Sequence, residues 1–218
     1  VDIGRKWAEE KTAPRPSAER ITRWLLKEGL TSPTLFNTAM TMGRLVRPLM
    51  PETLKRKVPQ GLPAGKRPQR HHTRKMLILE GCVQPGMLPN INNATIRVFD
   101  ALSIELISSN KAGCCGALRY HLNDQNGGLA DAKRNIDAWW PSIENGKDSV
   151  EAIVMNASGC GVMVKDYGHL LHDDPLYASK AKCVSELCKD LSEIMPQFEG
   201  ELVQKIGRDK KAGVVYHP

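Results

Sequence analysis

The apolar positions of this chain change period partway along it. In the first 59 residues they recur at spacings of three and four. Ile21, Trp24, Leu25 and Leu26 share one side of residues 18–30, and Leu35, Phe36, Ala39, Met40, Met42, Gly43, Leu45 and Val46 make a second stripe. Such spacing predicts two amphipathic helices. Ser17 is placed to cap the first and Gly29 lies near its end, while Pro48 and Pro51 close the second. Their apolar faces need a cover: the rest of this chain, a second copy, or a domain outside it. Met40, Met42 and Met50 read as gap-filling core. From residue 76 the pattern becomes short unbroken runs at 76–80, 103–107 and 151–155, bounded by Gly, Ser and Asn, and these predict buried strands. Helical spacing separates them: residues 92–102, then a long segment with Leu129, Ala132, Ile136 and Trp140 on one face. A helix through Tyr167 and Leu171 follows, then one from Asp174 past Leu187 and Leu191, with a fourth strand at 212–216. Alternation of this kind predicts an α/β fold, a parallel sheet with flanking helices behind a helical N-terminal arm. The division is an arm at 1–59, a basic Pro/Gly linker at 60–75 and an α/β domain at 76–218.

Composition narrows the class. A chain of 218 residues can bury a substantial core. Six unevenly spaced cysteines exclude a disulfide-rich secreted scaffold. No apolar run approaches the roughly 20 residues needed to span a bilayer, and the first residues show no signal-peptide core, so a reduced, cytoplasmic setting is expected. The chain begins without Met and stops inside the apolar run at 212–218, which reads as a piece of a longer product. Residues 1–75 carry 17 Lys and Arg against 6 Asp and Glu, a balance of +11, while the remainder is acidic. The basic half reads as a solvated arm contacting neighbouring domains or subunits. Its linker has no aromatic residue to stack on bases, so nucleic acid is not an expected partner. His71 and His72 have no further ligand at metal-binding spacing and read as solvated linker.

The candidate chemistry lies in the loops after the three runs. Cys82 follows the first, Cys114 and Cys115 the second, and Cys160 the third; Gly81, Gly113, Gly116, Gly159 and Gly161 flank them. In a parallel sheet those loops share one rim, where ligands collect. Glycines there suit close backbone approach to a bound group. Thiolates hold iron–sulfur clusters, with zinc the leading alternative. Adjacent thiols do not readily share one iron, but they can bind different irons of one cluster or close a strained vicinal disulfide. Cys183 and Cys188, placed on a helix without motif context, read as packing. His121 is a lesser candidate as proton carrier or ligand. Arg119, Tyr120 and Asn123 share its loop and are candidates for an anionic group, and Asp166 and Tyr167 read as first-turn residues.

Four segments, Glu80-Gly81-Cys82-Val83-Gln84-Pro85, Ala112-Gly113-Cys114-Cys115-Gly116-Ala117, Asn135-Ile136-Asp137-Ala138-Trp139-Trp140-Pro141 and Ala157-Ser158-Gly159-Cys160-Gly161, resemble in order the cysteine-rich (CCG) domain family as found in glycolate oxidase iron–sulfur subunits. The Cys-Cys-Gly element alone is shared with heterodisulfide reductase subunits and with lactate and anaerobic glycerol-3-phosphate dehydrogenase subunits. The resemblance implies an iron–sulfur cluster, of the 4Fe-4S type, held or gated by Cys82, Cys114, Cys115 and Cys160. It also implies flavin-containing partner subunits that oxidise glycolate to glyoxylate, in a complex in the cytoplasm or at the inner face of the membrane. A ferredoxin-like part and a second cysteine-rich repeat of the same subunit would lie outside this chain. Residues 214–218 would open that repeat, with Cys expected after Pro218. Supplying no flavin site, the fragment alone should not oxidise glycolate. One position departs from the pattern: Met163 stands where noncubane-cluster members have the last Cys of a Cys-x-x-Cys pair. The competing classes are a non-redox interaction scaffold and a thiol–disulfide module built on Cys114 and Cys115.

Overall fold

A computed structural model describes residues 15–144 and 149–206, with Gly4, Trp7, Lys11 and Gly146. Helix α1 (Ser17–Thr31) and helix α2 (Pro33–Val46) form the arm, followed by a single-turn helix α3 (Glu52–Lys55). Strand β1 (Arg74–Ile78) leads through α4 (Gln84–Met87) and α5 (Pro89–Ala101) to β2 (Ile104–Ser108). Next come α6 (Ala117–His121), α7 (Gln125–Ile143) and β3 (Ile153–Met155). The described chain ends with α8 (Ser158–Lys165), α9 (Tyr167–Leu170), α10 (Ala178–Leu187), β4 (Cys188–Asp190), α11 (Leu191–Ile194) and α12 (Glu199–Ile206).

The sheet is all parallel in the order β2-β1-β3-β4. Helices cover both faces, which is why its strands read as continuous apolar runs. Alternation along β1 sends Met76 and Ile78 to one layer, with Phe99, Ile104, Val154 and Phe198, and Leu77 to the other, with Ile136, Trp139, Ile153 and Tyr167. Both layers are dry: Phe99 and Trp139 are fully buried.

Several sequence expectations shift. β1 begins at Arg74 because Arg74 and Lys75 already pair with Ile104 and Glu105. The fourth strand expected at 212–216 lies outside the described residues; the described fourth strand is Cys188–Asp190, so Cys188 is not helical. The helix expected to run from Asp174 past Leu191 spans only Ala178–Leu187; after β4, Asp190 caps a new one, accepting from the Ser192 N–H at 3.0 Å while Glu193 accepts from the Asp190 N–H at 2.8 Å. Ser17 does not cap α1: it is the first helical residue, preceded by Pro16, whereas Ser32 caps α2. On α7 the buried tryptophan is Trp139; Trp140 is half-buried, with the Lys180 ammonium 5.1 Å from its ring centroid. His72 is not solvated linker. Its Nε2 sits 2.9 Å from Asp100 Oδ1 with the side chain 16% exposed, while His71 stays exposed.

Polar groups fasten the arm to the sheet domain at several points. Arg119 of α6 forks onto Glu28 at 2.9 and 3.0 Å, Lys27 meets Asp124 at 3.0 Å, and Arg23 donates to the Leu122 carbonyl at 3.0 Å. Arg44 of α2 donates to the Gly86 carbonyl at 2.7 Å. Of the second stripe only Met40 is buried; Leu35, Met42, Leu45 and Val46 are exposed, as are Ile21, Trp24, Leu25 and Leu26 of the first.

Candidate functional site

The chain leaves β1 for β2 on one side and returns to place β3 on the other. Strand order therefore reverses between β1 and β3, and a crevice opens beyond their carboxyl ends. Cys82 lies in the turn after β1, Cys114 and Cys115 in the loop between β2 and α6, and Cys160 in the first turn of α8. All four line one cavity of about 470 Å³ whose other walls are largely apolar, among them Val83, Met87, Ile91, Leu118 and Met155, with Leu30 of α1 added from the arm and Glu80 and Gln84 at its edge. The four thiols influence one another as neighbours in a row, Cys82 with Cys114, Cys114 with Cys115 and Cys115 with Cys160.

That row divides the thiols by ionisation. Hydrogen bonds from Cys115 and then Cys82, with further help from the Gly116 N–H and the Arg134 guanidinium, pull Cys114 down to about 3. The same interactions, together with burial, push Cys82 and Cys115 up. Cys160 is lowered by the Cys115 thiol. Four thiolates cannot coexist in an apolar cavity without cations among them. A cationic iron–sulfur core with soft-ligand demand fits this donor set. Among the described residues no three His, Cys, Asp or Glu side chains stand at metal-holding geometry, so the fit rests on the chemistry of the donor set.

The cysteine loops are set by their surroundings. Gly116 has φ +92°, and a Cβ there would stand 2.5 Å from the Gly128 carbonyl oxygen of α7, so the loop packs directly on helix backbone. Asn135 of α7 accepts from the Gly113 N–H at 2.8 Å and donates to the Cys114 carbonyl at 2.8 Å. The Tyr167 hydroxyl donates to the Cys115 carbonyl at 2.7 Å. Beside Cys82, Asn92 collects donors from Gln84 and Asn156 at 2.8 and 2.7 Å and donates to the Glu80 carbonyl at 3.1 Å, joining the β1 and β3 loops.

Other candidates fall away from the cavity. Met163 is buried in the core layer that contains Trp139 and Val164, and it does not line the cavity wall. Cys188 is a buried core residue raised to about 11 by burial, and Cys183 is half-exposed on α10. Arg119 is engaged by Glu28, Asp124 and, at 3.4 Å, Asp131. Tyr120 packs against the core, His121 is exposed at the end of α6, and Asn123 takes a left-handed turn conformation. Asp166 is exposed, but Tyr167 is fully buried against the cysteine pair rather than a plain first-turn residue. Asn135, Asn92 and Tyr167 are the site residues that sequence reading missed. A polar Asn beside Ile136 on the apolar stripe of α7 was the available signal for the first.

Comparison with known proteins is consistent with this geometry. The family model described as "Cysteine-rich domain" (CCG) matches residues 76–165. The chain is 49% identical over 196 residues to the glycolate oxidase iron-sulfur subunit of Escherichia coli K12, covering 89% of this chain and 47% of that protein. It is 30% identical over 126 residues to the probable glycolate oxidase iron-sulfur subunit of Bacillus subtilis, covering 58% of this chain and 27% of that one. Lactate utilization protein A of Bacillus pumilus is 24% identical over 143 residues, 66% of this chain and 56% of its own length. The chain thus spans about half or less of the length of the glycolate oxidase subunits it matches. No solved structure matches it significantly.

Proposed function

We propose, from the premise that residues 76–165 are a CCG cysteine-rich domain, that this chain is part of the electron-transferring iron–sulfur subunit of a glycolate oxidase. The observation that carries the reading is the convergence of four thiols from three loops on one apolar cavity at the sheet's switch point. Cys82, Cys114, Cys115 and Cys160 would hold the cluster, which we take to be of the 4Fe-4S type. When bound, it supplies one-electron carriage, with a potential set by burial and by hydrogen bonds to its sulfurs. The chain's own residues do the rest. Val83, Met87, Ile91 and Leu118 keep water off the site, and Leu30 closes it from the arm. The Gly116 N–H, 3.5 Å from Cys114 Sγ, is placed to stabilise a ligating thiolate. Met163 contributes packing, and its thioether is a weak neutral donor outside the ligand set.

In the whole complex, flavin-containing subunits would oxidise glycolate to glyoxylate and pass electrons to this centre, on the cytoplasmic side or at the inner membrane face. Cys114→Ser and Cys115→Ser in the assembled complex test this directly. The expected result is loss of glycolate-dependent electron transfer with the fold and assembly intact; retained turnover would overturn it. A second reading, thiol–disulfide exchange, is favoured by the lowered Cys114 next to Cys115. It predicts that labelling of this pair depends on prior reduction, and equal labelling with and without reductant would exclude it.

A further inference from the structure

We infer that Asn135 and Tyr167 are positioning residues, a buried clamp that holds both peptide carbonyls of Cys114–Cys115 so that two neighbouring thiols face one cavity. Successive side chains normally diverge, so a pair of adjacent cysteines presents both sulfurs to one space only if its backbone is held in a turn. Here the two residues doing the holding are fully buried. Asn135 uses its oxygen on the Gly113 N–H at 2.8 Å and its nitrogen on the Cys114 carbonyl at 2.8 Å and the Tyr167 hydroxyl oxygen at 3.2 Å. Tyr167 spends its hydrogen on the Cys115 carbonyl at 2.7 Å.

An amide and a phenol in the dry layer beside Ile136 and Trp139 are costly unless fully bonded, and an apolar residue would fill that space with less risk. Among the described residues, the side-chain hydrogen bonds of the pair go to the cysteine loop or between its two members. Arg134 adds a third grip from the solvent side, 3.2 Å from the Cys114 carbonyl oxygen. Gly116 completes the turn by packing on the Gly128 carbonyl. The clamp therefore acts on thiol geometry, with packing as its secondary effect.

The clamp's role toward a cluster rests on the reading above, but its first test does not. In metal-free, reduced protein, Cys114 and Cys115 are alkylated with iodoacetamide and quantified by peptide mass spectrometry against Cys183 as the internal reference. Tyr167→Phe should raise the labelling of the pair relative to Cys183 about tenfold, the effect of one lost buried hydrogen bond on a local opening. Asn135→Leu should raise it further; if that variant does not fold, Tyr167→Phe decides alone. Trp139→Phe, in the same layer but without a bond to the loop, should leave the ratio at the wild-type value. A wild-type ratio in folded Tyr167→Phe, or an equal rise in Trp139→Phe, overturns the clamp. Wild-type protein and Tyr167→Phe are then loaded with iron and sulfide, and their electron paramagnetic resonance spectra compared. An altered spectrum in Tyr167→Phe extends the clamp to cluster geometry, whereas identical spectra restrict it to the metal-free loop and overturn that extension. If wild-type protein takes up no iron, the cluster reading fails while the labelling ratio still judges the clamp.

Discussion

The sheet domain and the N-terminal arm bury their apolar residues to very different degrees. Around β1 and β3, Leu77, Ile78, Ile153 and Val154 have almost no exposure, and helices seal both faces. On α1 and α2, Ile21, Trp24, Leu35 and Leu45 are more than half exposed, and ion pairs and carbonyl contacts tie the arm down. The lesson is that the thiol cavity is built mainly from the well-buried part of the chain. Among the described residues, the arm adds Leu30 to its wall, and its Arg44 holds the Gly86 carbonyl of α4 next to it.

The largest expected effects fall on the sheet layers. Trp139→Ala should cost about 3–5 kcal/mol in urea unfolding, as truncating a fully buried aromatic does. Trp24→Ala on the arm should change the same midpoint by under about 0.5 kcal/mol; comparable losses at the two tryptophans would erase the contrast.

Next comes Asp131, buried on α7, raised to about 6 by burial even though Arg134 lies 2.7 Å away. Its Oδ2 makes no hydrogen bond, since Arg119 approaches it only at 3.4 Å. A raised acid holds its proton more tightly in the folded state, so stability should fall as pH rises from about 4 through 6. The loss is at most about 3 kcal/mol. Asp131→Asn in metal-free protein should flatten that slope, and an unchanged slope would assign the pH dependence to other groups.

The smallest effect is expected where arm meets domain. Arg119→Met removes the fork to Glu28 and the contacts to Asp124 and Asp131, and should lower global stability by about 1 kcal/mol, because partly exposed pairs contribute little each. Limited proteolysis within α1 should nevertheless accelerate several-fold. Unchanged cleavage would mean that the arm is held by its apolar contacts instead.

Much of this architecture was legible in the sequence, for reasons that differ by element. β1 and β3, central in the sheet, are buried on both faces and leave near-continuous apolar runs, whereas the edge strand β2 carries the partly exposed Glu105. The glycines around Cys114 and Cys115 announced a tight backbone, and Gly116 meets that need with its positive φ and its contact on Gly128. β4 was hidden because Cys188-Lys189-Asp190 is too short to show a period and sits between helical segments. Tyr167 is easily misjudged because a tyrosine opening a helix looks like a surface residue until the Cys115 carbonyl is seen beside its hydroxyl. The exposure of Trp24 was equally unreadable: a helical stripe reports that a face is apolar, never what covers it.

What the four thiols bind decides the function of this domain. Iron and acid-labile sulfide should be measured in protein made and purified without oxygen, with an electron paramagnetic resonance spectrum of the same sample. The prediction is about four irons per chain, with the signal abolished in Cys114→Ser and Cys115→Ser. Folded wild-type protein that contains no iron, even after incubation with iron and sulfide under reducing conditions, would contradict a cluster site in this chain.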